Sequence, residues 1–244
     1  MTLSSAEIKF VKSLSQKKFR DEYGVFVVEG EKLVSEALHS RFKVRDVYRT
    51  EDVGEAAMAR MSSLSSPSPV LATVERPADL ASAVLPASGL FLALDGIRDP
   101  GNLGTILRVA DWFGIDAVFA SPDTVDVFNP KVVQATMGAI FRVRFHYADI
   151  PSLCSRALKC GGKVYGTFLD GENMYGKALD CGWEAPSVIV IGNEANGISP
   201  AVAACVSDRL FIPPYPSDDP GSESLNAAVA TAVTVAEFRR QGSL

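Results

Sequence analysis

Apolar positions in the first third of the chain switch between two periods. Ile8, Val11 and Leu14 recur at helical spacing, and GVFVVEG (24–30) has the β-branched density of a short strand. EKLVSEALHS (31–40) returns to a helical pattern and VRDVYRT (44–50) reads as a strand. A Ser/Pro-rich stretch, SSLSSPSP (62–69), predicts an exposed loop before another apolar run, VLATV (70–74). RPADLASAVLPASG (76–89) carries two prolines and reads as a linker. A boundary within 84–89 divides a small domain, 1–86, from a larger one, 87–244.

Past that boundary, strand and helix alternate regularly. The predicted strands are LFLALDG (90–96), DAVFASP (116–122), FRVRFHY (141–147), KVYGTFLD (163–170), SVIVIGN (187–193) and RLFIPP (209–214). Helical patterns lie in NLGTILRVADWFG, NPKVVQATMGAI, DIPSLCSRALKCGG and the terminal SLNAAVATAVTVAEFRRQ. This alternation predicts an α/β fold on a parallel sheet, and a continuous apolar run such as VIVI fits a sheet covered on both faces. In the terminal helix, Leu225, Val229, Ala232, Val233 and Ala236 share one face, suited either to the core or to a partner.

Composition narrows the class. Of 244 residues 47% are hydrophobic and 22% charged, as in globular proteins with a real core. No apolar stretch reaches the length of a membrane span, and MTLSSAEIKFVKSL lacks the apolar core of a signal peptide, so a cytoplasmic protein is expected. Cys154, Cys160, Cys181 and Cys205 show no C-x-x-C spacing and read as reduced, structural thiols. His39 and His146 read as structural too, and no metal-ligand cluster is evident. A net charge of -5 argues against a general nucleic-acid binder. Between Glu7 and Arg20, however, Lys9, Lys12, Lys17, Lys18 and Arg20 face only the acid Glu7. That local patch is either a solvated helix face or a phosphate contact.

Ligands of open parallel sheets bind at loops that follow the carboxyl ends of strands. Three such loops stand out. DGIRDPGNLGTILR (95–108) turns on Pro100 and Gly101 into a helix that carries Arg108 about two turns in; it lacks G-x-G-x-x-G, which weakens a dinucleotide-binding reading. IGNEANGISP (191–200) places a glycine at a strand end and the carboxylate of Glu194 beyond it; the alternative is an ordinary Asn/Gly turn. IPPYPSDDPGSESLN (212–226) leads into the terminal helix, where Ser222 and Ser224 are also candidate caps.

In order, DGIRDPGNLGTILRVADWFG, IGNEANGIS and the IP…SLN…A segment resemble the three motifs of the SpoU (TrmH) family of RNA ribose methyltransferases, within the SPOUT superfamily. The resemblance covers residues 90–241, and NPKVVQATMGAIFRVRF is similar to the helix the family carries between its first two motifs. KKFRDEYGVFVVEGEKLVSEAL (17–38) resembles the L7Ae/L30e-like RNA-binding domain that precedes many such enzymes. The resemblance implies S-adenosylmethionine-dependent 2′-O-methylation of an RNA ribose, a C-terminal trefoil knot, a homodimer and no metal. With a separate N-terminal domain, ribosomal RNA is expected ahead of transfer RNA. A catalytically silent RNA-binding factor on the same fold is the alternative from another class.

Residue by residue, the resemblance assigns Arg108 to the RNA phosphate and the ribose hydroxyl, and Asn102 to their orientation. Glu194, Ser224 and Asn226 match polar active-site positions, and Gly192, Ile212 and Leu225 would hold the cofactor through main-chain atoms. Lys17, Lys18 and Arg20 are the expected RNA contacts of the first domain. The stretch between Pro213 and Ser224, with Asp218 and Asp219, is longer than the family pattern and bears on the lid of the cofactor pocket.

Overall fold

The apolar runs of the N-terminal region meet in a three-stranded antiparallel sheet. The computed structural model describes residues 3–78, 84–216 and 224–242, and these divide into two units. The first opens with α1 (Ser5–Ser13), whose start is fixed by a reciprocal capping box between Ser4 and Glu7. Next comes α2 (Lys17–Tyr23), which Gly24 ends in the left-handed region at φ 64°. Strand β1 (Val25–Glu29) is buried throughout. It leads through α3 (Glu31–Leu38) to β2 (Val44–Arg49), then α4 (Thr50–Val53), α5 (Glu55–Met61) and β3 (Val70–Glu75). The sheet order is β1-β3-β2, and Ile8, Val11, Leu14, Val25, Val27, Met58, Met61 and Leu71 share one core.

The second unit is a six-stranded parallel sheet. Its strands are β4 (Gly89–Asp95), β5 (Ala117–Ala120), β6 (Phe145–Tyr147), β7 (Lys163–Asn173), β8 (Pro186–Gly192) and β9 (Asp208–Phe211), in the order β6-β5-β4-β8-β7-β9. The helices α6 (Pro100–Trp112), α8 (Ile150–Lys159), α9 (Pro200–Ala203) and α10 (Ala227–Gly242) belong to it. Phe91, Ala93, Val188 and Val190 point one way from β4 and β8 into a core shared with Leu153, Cys154 and Ala157 of α8. Desolvation pushes the Cys154 thiol up to about 12, as expected of a packed, unreactive cysteine. On α10 the core face is Ala228, Thr231, Val235 and Phe238, so the stripe through Leu225 and Val229 lies outside it.

Asp126–Arg142 groups with the first unit although it falls between β5 and β6 in sequence. It contains α7 (Pro130–Thr136), capped by Asn129. Phe128 packs at 4.5 Å on Phe26, Phe141 at 5.2 Å on Phe42, and Gln134 Nε2 donates to the Glu29 carbonyl at 3.3 Å. The expected strand over 141–147 is shorter. Met137 and Gly138 take positive φ, a 3-10 turn fills Ala139–Phe141, and only Phe145–Tyr147 is strand.

One expected RNA contact is overturned here. Arg20 is 2% exposed. Its Nε and Nη2 donate to Asp126 Oδ2 at 2.9 and 2.6 Å, and Nη1 donates to the carbonyls of Leu14 and Ser15. With four of its five donors bonded inside the core and only 2% of the residue exposed, this guanidinium cannot reach a phosphate. Among the described residues no helix is long and apolar enough to cross a membrane.

Candidate active site

Strand order reverses between β4 and β8, and in open α/β sheets the crevice at such a point is where ligands bind. The loops leaving these two strands meet there. Asp99 caps α6, accepting the Asn102 N–H at 2.8 Å, and Pro100 occupies the first helical turn, where a missing N–H costs nothing. This fixes Asn102 in the first turn of α6, at the mouth of the crevice. After β8, Asn193 Oδ1 accepts the N–H groups of Ala195 and Asn196, an Asx turn, and its Nδ2 donates to the Gly96 carbonyl at 2.6 Å. Asp95 Oδ2 accepts the Ser199 N–H at 2.6 Å. The two loops are thus joined by side chain-to-backbone bonds before any ligand is considered.

The turn from Gly192 to Gly197 closes on itself through paired Asn193 and Gly197 main-chain bonds of 2.9 Å. A Cβ at Gly192 would overlap the Gly197 carbonyl carbon and the Ile198 nitrogen, so this strand end requires glycine.

Across the crevice runs a chain of three side chains. Asn226 Nδ2 donates to Asn102 Oδ1 at 2.8 Å, and Asn102 Nδ2 donates to Glu194 Oε1 at 3.0 Å. Asn226 Oδ1 meanwhile accepts from Ala228 and Val229, capping α10. Glu194 also accepts from the backbone N–H groups of Arg98 and Asp99 at 3.3 and 3.2 Å. Partial burial alone would raise the pKa of Glu194; the bonds from Asn102 and the backbone outweigh it and hold the carboxyl below its ordinary value. Glu194 is therefore ionised at neutral pH, a firm acceptor and a weak base. Both amide orientations follow from this: Asn102 must turn its NH₂ to the carboxylate and its oxygen to Asn226.

Beside this chain lies a cavity of about 580 Å³, within the range of small-molecule sites. Ile191, Gly192, Leu210, Ile212, Leu225 and Ala230 line it, and Glu194, Ser224 and Asn226 stand at it as well. Thr167, Phe168 and Leu169 of β7 form a further wall. They leave the sheet between two residues, Thr167 and Glu172, that both register against Leu210. Sequence reading missed this wall, since the pattern of KVYGTFLD shows a strand but not its bulge. It also passed over Asp95 and the bonds Asn193 makes, although N-E-A-N-G reads as an Asn/Gly turn.

The structure brings Asn102, Glu194, Asn226, Ser224, Gly192, Ile212 and Leu225 together. Arg108 is exposed on α6, and no hydrogen bond or ion pair joins it to another described residue. Lys17 and Lys18 are exposed on α2 in the first unit, Lys17 paired with Asp21 at 2.6 Å and Lys18 lying 5.8 Å from the Phe19 ring. Ser222, Asp218 and Asp219 lie outside the described residues. Among the described residues no group of three or more His, Cys, Asp or Glu is placed to hold a metal.

Comparison with known proteins agrees with this geometry. The model of the SpoU rRNA Methylase family matches residues 89–236, and that of the MRM3-like substrate binding domain matches residues 5–75. The 23S rRNA (guanosine(2553)-2'-O)-methyltransferase RlmP of Bacillus subtilis is 30% identical over 96% of both chains. A solved protein of the TrmH family from Porphyromonas gingivalis superposes with a TM-score of 0.88 at 39% identity, covering 99% of this chain and 100% of that one. An AdoMet-bound rRNA methyltransferase from Sinorhizobium meliloti gives a TM-score of 0.86 at 29% identity, over 98% and 97% of the two chains. With its parallel sheet, its strand-end loops and a family match over more than half its length, this chain belongs to the SpoU rRNA methylase family.

Proposed function

We propose that the protein methylates a ribose 2′-hydroxyl of ribosomal RNA with S-adenosylmethionine. The observation that carries this reading is the hydrogen-bonded chain Asn226–Asn102–Glu194 beside an apolar-walled cavity of about 580 Å³. The Bacillus relative, a 23S rRNA 2′-O-methyltransferase, and the AdoMet-bound Sinorhizobium structure support the substrate and the cofactor. The cavity also passes a test of fit. Its largely apolar lining suits a nucleoside, and glycine at 192 lets the 192–197 turn close tightly at the cavity's edge. Gly192, Ile212 and Leu225 would hold the cofactor, which supplies a methyl group activated by a sulfonium.

The remaining chemistry falls to this chain's residues. A ribose hydroxyl is a weak nucleophile and needs positioning, worth several kcal/mol, and help with its proton. Arg108 cannot act as a base, because a guanidinium stays protonated in proteins. It acts as a fixed positive charge that binds the RNA phosphate and lowers the pKa of the adjacent hydroxyl. Asn102, held by Glu194 and Asn226, orients the ribose. Ser224 adds a hydroxyl at the cavity mouth. Calorimetry should show S-adenosylmethionine binding in the presence of a chelator, and labelled methyl should pass from it to ribosomal RNA. Loss of binding on chelation, or label entering only transfer RNA, would overturn the corresponding part of the reading.

The first unit serves as the RNA-selecting domain, as its match to a substrate-binding family suggests. Lys17 and Lys18 remain as its phosphate contacts once Arg20 is removed from the set. In Lys17→Ala/Lys18→Ala the slope of log affinity against log salt should flatten by roughly 1 to 2 units, near 0.7–0.9 per contact. Substrate RNA bound with an unchanged slope would make these lysines an ordinary solvated face. We further infer a homodimer, a C-terminal knot and a cytoplasmic protein. For the dimer, Trp112 on α6 is 84% exposed and Leu225 and Val229 are half-exposed. Exposed apolar side chains at Leu225, on the cavity lining, and at Trp112, toward the far end of α6, invite a second subunit. Sedimentation should give twice the chain mass; a monomer at micromolar concentration would contradict it. Favouring the knot, the end of α10 lies against the segment between β7 and β8: Cys181 Sγ donates to the Phe238 carbonyl at 2.9 Å, and the Leu179 N–H donates to Gln241 Oε1 at 2.9 Å.

A further inference from the structure

The described residues of the three strand-end loops, 95–108, 191–200 and 212–226, carry three acids, Asp95, Asp99 and Glu194, against two cations, Arg98 and Arg108. Each RNA phosphate that docks at this end of the sheet needs a cation to replace its counterions. With Arg108 at one phosphate, Arg98 is the other cation these loops offer.

Its geometry suits that task. The Arg98 N–H donates to Glu194 Oε2 at 3.3 Å, so its backbone is anchored to the carboxylate that orients Asn102. Its side chain reaches out the other way. Nη2 lies 3.4 Å from Asp123 Oδ2, with Arg98 72% and Asp123 57% exposed. A solvated pair at that length adds little to stability and is readily exchanged. Asp123 keeps a partner when Arg98 leaves, because its Oδ1 accepts from Ser121 Oγ at 2.6 Å. Ser121 Oγ in turn accepts the Gly96 N–H at 2.8 Å, which ties this arrangement to the loop that carries Arg98.

We propose that Arg98 is a second phosphate-contacting arginine of the site, parked on Asp123 in the free protein and exchanged onto an RNA phosphate beside the target ribose. Anchored at Glu194, it sets that phosphate in register with Asn102. The inference rests on the methyltransferase reading above.

The test compares wild type, Arg98→Gln, Arg98→Lys and Asp123→Asn on ribosomal RNA from a host lacking the gene. Methyl transfer, direct RNA binding at several salt concentrations, and S-adenosylmethionine binding are all measured. Arg98→Gln should raise KM for RNA about tenfold, as expected for a charge-assisted contact. It should also flatten the salt slope by roughly 0.7–0.9 unit. Its kcat and cofactor affinity should stay near wild type. Arg98→Lys should recover part of the loss, since it keeps the charge without the planar fork. Asp123→Asn should bind RNA at least as well as wild type. Unchanged KM and salt slope in Arg98→Gln would leave Arg98 a solvated surface residue. A fall in kcat at constant KM would make it a brace for the loop instead; either result overturns the proposal. If wild type itself transfers no methyl, the methyltransferase reading fails, and the binding series still decides whether Arg98 touches RNA.

Discussion

Arg108→Ala should lower the rate of methyl transfer roughly a hundred- to a thousandfold, the range for removing one preorganised charge from a reaction centre. Affinity for S-adenosylmethionine should stay within about threefold, since the interaction proposed for Arg108 is made to RNA and the transition state. The structure separates these effects. Arg108 is exposed and bonds to no other described residue, so its removal leaves the fold intact. The cavity is lined by β7, β8, β9 and the start of α10, and Arg108 is not among its residues. It stands six residues, about 9 Å, along α6 from Asn102, and side chains on a helix lean toward its N-terminus. Stopped-flow or quench kinetics with saturating cofactor, beside calorimetry, measure both quantities. A folded Arg108→Ala protein that has lost its cofactor affinity would assign the residue to the cavity instead.

The second large effect is on stability. Arg20→Ala should destabilise the first unit by about 3–5 kcal/mol, because it strands the buried Asp126 carboxylate, 6% exposed in its side chain. Whole domains are stable by only about 5–15 kcal/mol, so this unit would be close to unfolding. Replacing both partners, Arg20→Leu with Asp126→Leu, should cost much less, since no unpaired charge is left behind. Guanidinium denaturation of the three proteins reads the difference directly. An Arg20→Ala protein of normal stability that has lost RNA affinity would restore Arg20 to the RNA-binding surface.

That arginine also shows where a sequence stops being informative. In KKFRDEY the cations read as one patch, yet α2 turns a single residue fully inward, and it is the arginine. Residue type gives the charge; only the partner, Asp126, more than a hundred positions away, decides that it is buried. The same distance hides the allegiance of NPKVVQATMGAI. Its period gives a helix with Val132, Val133 and Thr136 buried, but nothing local says that they join the first unit. By contrast, VIVI and LFLAL announce buried parallel strands, and the loops after them were readable as ligand loops from position alone. Glu194, Asn102 and Asn226 were assigned from motif resemblance. Their bonding in one chain, with Glu194 as anchor rather than base, is set by contacts between residues 92 and 124 positions apart that no local pattern encodes.

The most direct test of ribosomal RNA ribose methylation is to map 2′-O-methyl groups by mass spectrometry in RNA from cells with and without the gene. One ribose methyl should vanish from ribosomal RNA when the gene is removed. It should return with the wild-type protein and stay absent with Arg108→Ala. Ribosomal RNA whose ribose methylation is the same in every one of these strains would contradict the account.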